Sequence, residues 1–282
     1  MKSRPQRTLK KEVSFSGVGI HTGKEVSIRF CPAPINSGVV FQRIDLPGKP
    51  LIPAAIEYVQ NTLRSTIIGV GSASVQTVEH VLAALFAYQV DNLCVQLDEG
   101  EPPVGDGSAI SFVSLIEKAG IEEQKAIKVI HPLKEPLYYS NDKSYIVALP
   151  SEEYRISYVL HYPNTSVIRS QYLSLPINQE VFKNEIATCR TFALYEEITA
   201  LMEQGLIQGG SLENAIVIKD DVVFSKEGLR FPDEMVRHKI LDLIGDLSLV
   251  GFPFLANIIA ICSGHHANIQ IGKEFVKHFS SY

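Results

Sequence analysis

The 282 residues exceed the usual size of a single core, with 45% apolar and 20% charged residues, so a globular chain of two domains or one large one is expected. This composition excludes disorder, collagen-like repeats and fibres, and a formal net charge of -5 leaves no basic footprint for a nucleic acid partner. The four cysteines, Cys31, Cys94, Cys189 and Cys262, lie far apart with no C-x-x-C pair, which argues against a disulfide framework or a thiolate zinc site and fits a reducing cytoplasm.

Along the chain, Met1 to Lys11 is basic but no apolar run follows it, so no signal peptide is expected. Glu25-Val-Ser-Ile-Arg-Phe alternates apolar with polar residues, the period of a half-buried strand. From Val75 the period changes: Val75, Val78, Leu82 and Leu85 predict a buried helix with Ser74 as its N-cap. Asn92 to Leu97 reads as a strand and Ser111 to Ala119 as an amphipathic helix, before a charged stretch from Glu122 to Lys128.

The second half repeats this order. Strand-like alternation in Ser144 to Leu149 and Arg155 to Leu160 precedes a mixed helical zone and a long helix from about Asp233. In each half a histidine sits early in an apolar helix, His80 and His238, and each helix leads through a turn into an apolar strand. An α+β fold is expected, with two domains of similar topology, residues 1–126 and 127–282, each laying helices on a sheet around a shared site. The most apolar stretch, Leu247 to Cys262, is broken by Gly251, Pro253 and Asn257 and falls short of the ~18 residues that span a bilayer, so no transmembrane segment is expected.

The strongest chemical signal is His238, Asp242 and Asp246, spaced four residues apart on one face of an otherwise apolar helix. That face either meets solvent or is buried. A buried carboxylate needs a cation, a metal or a hydrogen-bond donor, and one metal would satisfy His238 and Asp242 together. Glu79-His80 on the earlier helix offers a third ligand and a carboxylate base beside it; alone, the pair also suits an ordinary helix surface. Ser263-Gly264-His265-His266 follows an apolar strand, where His265 is a candidate proton donor with Asp246 behind it and His266 reads as a bystander.

Three smaller features remain. Thr191 and Phe192 follow Arg190, and Gly209-Gly210-Ser211 forms a turn between a helix and the strand Ala215 to Ile218. Gly17-Val-Gly-Ile-His21-Thr-Gly23 lacks the third glycine of a dinucleotide fingerprint and opens onto a strand, so it is not one. These features point to a metal-dependent hydrolase. The rival is a binding protein whose metal only joins the halves, yet structural zinc usually has four protein ligands, mostly cysteine.

Thr77-Val-Glu-His80, Gly17 to Gly23, Cys189-Arg-Thr-Phe192, Gly209 to Ala215, the long block Arg230 to Asp246 and Ser263-Gly-His265 together closely resemble the UDP-3-O-acyl-N-acetylglucosamine deacetylases, in order over nearly the whole chain. This resemblance implies hydrolytic removal of an N-acetyl group from an acylated UDP-sugar, early in lipid A biosynthesis in bacteria with an outer membrane. It implies zinc held by His80, His238 and Asp242, with iron(II) suiting the same ligands. Glu79 would be the general base, His265 the acid, Asp246 its orienting partner and Thr191 an oxyanion donor. Phe192, Lys239, His21 and Gly210 would contact substrate, and an insert near residues 194–218 would shape a passage for the acyl chain. A cytoplasmic monomer is expected. The sequence departs from many members in Ala193-Leu-Tyr-Glu and in Cys262.

Overall fold

In a computed structural model of the protein, residues 2–280 are described; Met1, Ser281 and Tyr282, at the outer ends of the two expected domains, lie outside them. The chain opens with β1 (Lys2–Leu9), then four strands, β2 (Val13–Val18), β3 (Glu25–Pro32), β4 (Val39–Arg43) and β5 (Leu51–Pro53). A small sheet of β6 (Val59–Asn61), β7 (Ile67–Val70) and β8 (Ala73–Val75) precedes helix α1 (Glu79–Ala87), strand β9 (Leu93–Leu97) and helix α2 (Ile110–Ala119).

After β10 (Ile121–Pro132) the order repeats. The strands β11 (Leu137–Ser140), β12 (Tyr145–Leu149), β13 (Arg155–Tyr162) and β14 (Arg169–Pro176) come first, followed by a short helical passage that opens with α3 (Gln179–Val181). A second small sheet comprises β15 (Phe192–Leu194), β16 (Ile216–Lys219) and β17 (Val222–Phe224), with helix α4 (Tyr195–Glu203) between its first two strands. Helix α5 (Glu234–Ser248), strands β18 (Phe254–Leu255) and β19 (Asn257–Ile261) and helix α6 (His265–Ser280) complete the chain.

The two large sheets have the same topology. The first runs β2-β3-β9-β4-β5 and the second β11-β12-β19-β13-β14. In each, the strand that follows the long helix enters the centre, antiparallel to one neighbour and parallel to the other. Each half also carries its three-stranded insert at the same point, between the fourth strand and that helix. The fold is therefore α+β with two similar halves. Strand β10 runs through residues 126 and 127 and joins the halves, pairing antiparallel with β1 and parallel with β18.

Burial follows the strand period. Val26, Ile28 and Phe30 of β3, Leu93, Val95 and Leu97 of β9, and Ile156, Tyr158 and Leu160 of β13 all face the core. Helices α1 and α5 pack against each other; in α1 every residue but Phe86 is buried, as expected for a helix apolar on nearly all sides. No helix among the described residues is long and apolar enough to cross a membrane.

The helix expected from Val75 starts instead at Glu79, and Ser74 lies in β8 rather than at an N-cap. Val75 pairs with Ile68 across the small sheet, and Thr77 has a φ of 58°, a left-handed conformation that no α-helix can pass through. The shortened helix has a consequence for chemistry: Glu79 and His80 occupy its first turn. His265, expected in a turn, opens α6.

Candidate metal centre and the adjoining cavity

The crossing of α1 and α5 is close enough that a Cβ on Gly245 would lie 2.1 Å from the carbonyl oxygen of Glu79. Only glycine fits there, and the approach brings His80 against His238, with ring centroids 5.0 Å apart and planes at 83°. Asp242 Oδ1 lies 3.6 Å from His80 Nε2 and 3.4 Å from His238 Nε2. One donor atom from each of the three side chains falls within 4.8 Å of the others, and all three residues are buried.

The remaining polar atoms of this group are engaged elsewhere. His238 Nδ1 lies 3.1 Å from the carbonyl oxygen of Cys189, to which it donates, so Nε2 carries the lone pair. Burial pushes the His238 pKa down to about 4 and keeps the ring neutral, the form that ligates a metal. Asp242 Oδ2 accepts from Lys239 Nζ at 2.8 Å. Burial works against its charge, but the neighbouring Lys239 ammonium helps hold the carboxyl well below its usual range. Two imidazole nitrogens and one carboxylate oxygen thus converge on a common point, a donor set that fits a divalent cation with a position left open.

Glu79 and His265 stand beside this group. Glu79 Oε2 accepts from the backbone N–H of Thr66 at 3.1 Å, and Oε1 lies 4.0 Å from His265 Nε2. Burial raises the Glu79 pKa to about 7, with His265 and His80 limiting the rise. His265 Nδ1 donates to Asp246 Oδ2 at 2.9 Å. Burial opposes the imidazolium, yet Asp246 and Glu79 lift its pKa to about 9. Asp246 is fully buried and also accepts from the Asn268 side chain at 2.8 Å and from the Thr66 hydroxyl at 2.5 Å.

A cavity of about 560 Å³ opens at this group, and His21, His80, Thr191, Phe192, Gly210, His238, Lys239, Asp242 and His265 line it. Glu79 and Asp246 lie behind that wall, 3% and 0% exposed. Lys239 Nζ sits 5.5 Å from the centre of the Phe192 ring, which also stands edge-on to Tyr162 and His238. Thr191 is fixed by its backbone, donating to Gly107 O at 2.9 Å and accepting from Ile216 N, and its hydroxyl makes no hydrogen bond among the described residues. The whole set of sequence-predicted residues is therefore gathered around one space. His266, read as a bystander, also reaches the cavity and packs edge-on against Tyr139.

The far wall of the cavity is apolar, formed by Leu194, Ile198, Leu201, Met202, Ile207 and Leu212 of the second insert. That insert is seated on the first half. Gln208 and Gly209 donate their backbone N–H groups to His21 O and Ile20 O at 3.1 and 3.0 Å, and Ile207 N–H reaches His21 Nδ1 at 3.4 Å. A Cβ on Gly209 would lie 2.2 Å from Gly19 O, so the contact depends on a bare backbone. Arg64 and Glu197 pair across the same junction at 2.9 Å. A second cavity, of about 710 Å³ around Tyr154 and Phe254, contains none of the candidate residues.

Several supporting residues escape sequence reasoning. Thr66 lies in a loop with no motif around it. Asn268 lies one turn along α6 from His265, a relation visible only once the helix start is known. Glu101 is buried and accepts from the backbone N–H groups of His21 and Thr22 and from the Thr77 hydroxyl, tying the His21 loop to the approach to α1. Glu234 receives Arg190 through both its backbone and its guanidinium, which fixes the segment that carries Cys189 O and Thr191.

A sequence profile of the family described as UDP-3-O-acyl N-acetylglycosamine deacetylase matches residues 6–277. A protein of Chlamydia pneumoniae named UDP-3-O-acyl-N-acetylglucosamine deacetylase is 53% identical over 278 residues, covering 98% of this chain and 99% of its own length. Relatives of the same name from Chlamydia abortus and Chlamydia caviae are each 52% identical over 277 residues, with the same coverage of both chains. A match of this extent covers both halves and their inserts, and on it the chain belongs to the UDP-3-O-acyl-N-acetylglucosamine deacetylase family.

Proposed function

We propose that the protein is a metal-dependent N-deacetylase that hydrolyses UDP-3-O-acyl-N-acetylglucosamine to acetate and the free amine, within lipid A biosynthesis. The observation that carries this reading is the convergence of His80, His238 and Asp242 beside a carboxyl poised near neutrality and a charged histidine, at one end of an apolar-walled cavity. Zinc, or iron(II), would be held by His80, His238 and Asp242 and, when bound, supplies a Lewis acid that activates water and polarises the acetamide carbonyl.

Glu79 takes the proton from the attacking water, a task suited to a carboxyl whose pKa burial has raised to about 7. As oxygen bonds to the acetyl carbon, negative charge gathers on the former carbonyl oxygen, and the Thr191 hydroxyl, not committed to another protein group, donates to it. The C–N bond breaks only when the nitrogen receives a proton, and His265 delivers it while Asp246 holds the opposite ring nitrogen. Because water is the nucleophile, no acyl-enzyme forms.

Lys239 and Phe192 are assigned to the sugar end of the substrate, His21 and Gly210 to the start of the passage, and the apolar wall of residues 194–218 to the acyl chain. The four free cysteines accord with a reducing cytoplasm. The deciding experiment is acetate release by the purified protein with and without a chelator, followed by zinc. Release that the chelator stops and zinc restores supports the reading; a zinc-loaded protein that releases no acetate at any acyl length overturns it.

A further inference from the structure

We propose that Thr66 is a positioning residue that locks the base and the acid of this site into one arrangement. The inference rests on the deacetylase reading for the roles of Glu79 and His265, and on geometry for everything else. Thr66 is fully buried in the loop before β7, and each of its three polar groups is committed. Its N–H donates to Glu79 Oε2 at 3.1 Å, its carbonyl accepts from Val78 N at 3.4 Å, and its hydroxyl donates to Asp246 Oδ1 at 2.5 Å.

The contacts close a ring. From Glu79 Oε1 it is 4.0 Å to His265 Nε2; His265 Nδ1 reaches Asp246 Oδ2 at 2.9 Å; Asp246 Oδ1 meets the Thr66 hydroxyl; and the Thr66 N–H returns to Glu79. Besides His265, which contacts both carboxylates, Thr66 is the one described residue that reaches both, and it alone hydrogen-bonds to each of them. A carboxylate accepts only, so the direction of the hydroxyl bond is fixed.

The two oxygens of Asp246 are not equally held. Oδ2 has two donors, His265 and Asn268, whereas the Thr66 hydroxyl is the sole donor to Oδ1 among the described residues. Removing that hydroxyl leaves a buried carboxylate oxygen unsatisfied, and the cheapest remedy is for the carboxylate to turn and share its remaining donors. The turn shifts the imidazole that Asp246 orients. A base and an acid that must act on the two ends of one reacting bond tolerate little misplacement, so the loss falls on turnover rather than on substrate binding.

Thr66→Val replaces the hydroxyl by a methyl of similar volume and keeps the backbone bond to Glu79, while Thr66→Ser keeps the donor. We expect Thr66→Val to lower kcat by roughly 10- to 100-fold with KM within about 2-fold of the parent value, and Thr66→Ser to restore most of the loss. A second readout needs neither metal nor turnover: nitrogen-edited NMR of the metal-free protein should show the His265 Nδ1–H in the parent and in Thr66→Ser but lose it to exchange in Thr66→Val. Where Thr66→Val melts below the assay temperature, Thr66→Ala serves in its place. Parent-like kcat together with an unchanged imidazole signal in the valine or alanine variant overturns the proposal, as does a serine variant no better than valine. A parent protein that releases no acetate sinks the deacetylase reading instead, and the imidazole signal still decides whether Thr66 fixes the His265–Asp246 pair.

Discussion

Gly245 of α5 rests on the backbone of Glu79 in α1, with no room between them for a methyl group: a Cβ would stand 2.1 Å from Glu79 O and 2.8 Å from Glu79 Cα. Neither contact is with a flexible side chain, so a larger residue must push the helices apart. Because Asp242 and Asp246 flank Gly245 on α5 and His80 follows Glu79 on α1, the same displacement separates the groups that converge on the candidate metal centre. Gly245→Ala is expected to cost about 1–3 kcal/mol of stability by overpacking and to weaken metal binding at the same time. Thermal melting and zinc titration of the variant check this, and parent-like values for both would show that the crossing has slack.

Metal removal should separate activity from folding. The core formed by the two large sheets and the α1–α5 pair is apolar and continuous, so a chelated protein is expected to keep its far-ultraviolet circular dichroism while losing acetate release. Zinc should restore it. His238→Ala removes a proposed ligand and is expected to weaken zinc beyond the ~10- to 100-fold typical of outer-shell losses. A His238→Ala protein that binds zinc as tightly as the parent would move the metal elsewhere.

Glu79→Gln keeps the shape and the bond from the Thr66 N–H but cannot take a proton. It is expected to bind zinc and substrate nearly as well as the parent while kcat falls by roughly 10²- to 10⁴-fold, the range for a lost general base. Substrate affinity measured on the inactive variant separates this from a binding defect. Near-full turnover would remove Glu79 from the mechanism.

The apolar wall provides a third handle on the site. Leu201 is 5% exposed and lines the cavity from α4. Leu201→Asn should raise KM for long-chain substrates by roughly 10- to 100-fold, the equivalent of losing about 1.5–3 kcal/mol of apolar burial, and leave short-chain substrates little affected. Equal losses at every chain length would argue that the wall does not hold the acyl group.

How much of this was legible before the fold is clearest residue by residue. His238, Asp242 and Asp246 stand out because a four-residue period on an apolar helix is a local signal, and Glu79-His80 because a histidine early in another apolar helix offers a third ligand with a carboxylate beside it. The similar halves were visible in the order of their elements. The start of α1 was not, since Val75, Val78 and Leu82 keep a helical spacing that the left-handed Thr77 interrupts. Thr66 was silent for a different reason: its partner Asp246 lies 180 positions away, and periodicity reports burial and local conformation but not which distant donor satisfies a buried carboxylate. Glu101 and Asn268 were hidden in the same way.

The pairing of His265 with Asp246 predicts the alkaline side of the pH profile. A raised pKa means that the folded protein holds this proton more tightly than an ordinary histidine, so the acid is still charged at pH 8 and is lost as pH rises through about 9. The linked stability has the same sign: it is fully present below the unfolded value near ~6.5 and disappears between there and about 9. Asp246→Asn removes the strongest charge that raises the histidine, leaving burial and the weaker influence of Glu79. The alkaline limb of kcat/KM should therefore move to lower pH, and the stability lost between pH 6.5 and 9.5 should shrink relative to the parent. A limb that stays near pH 9 in Asp246→Asn would assign that titration to another group, and His265→Gln would then be expected to keep the limb as well.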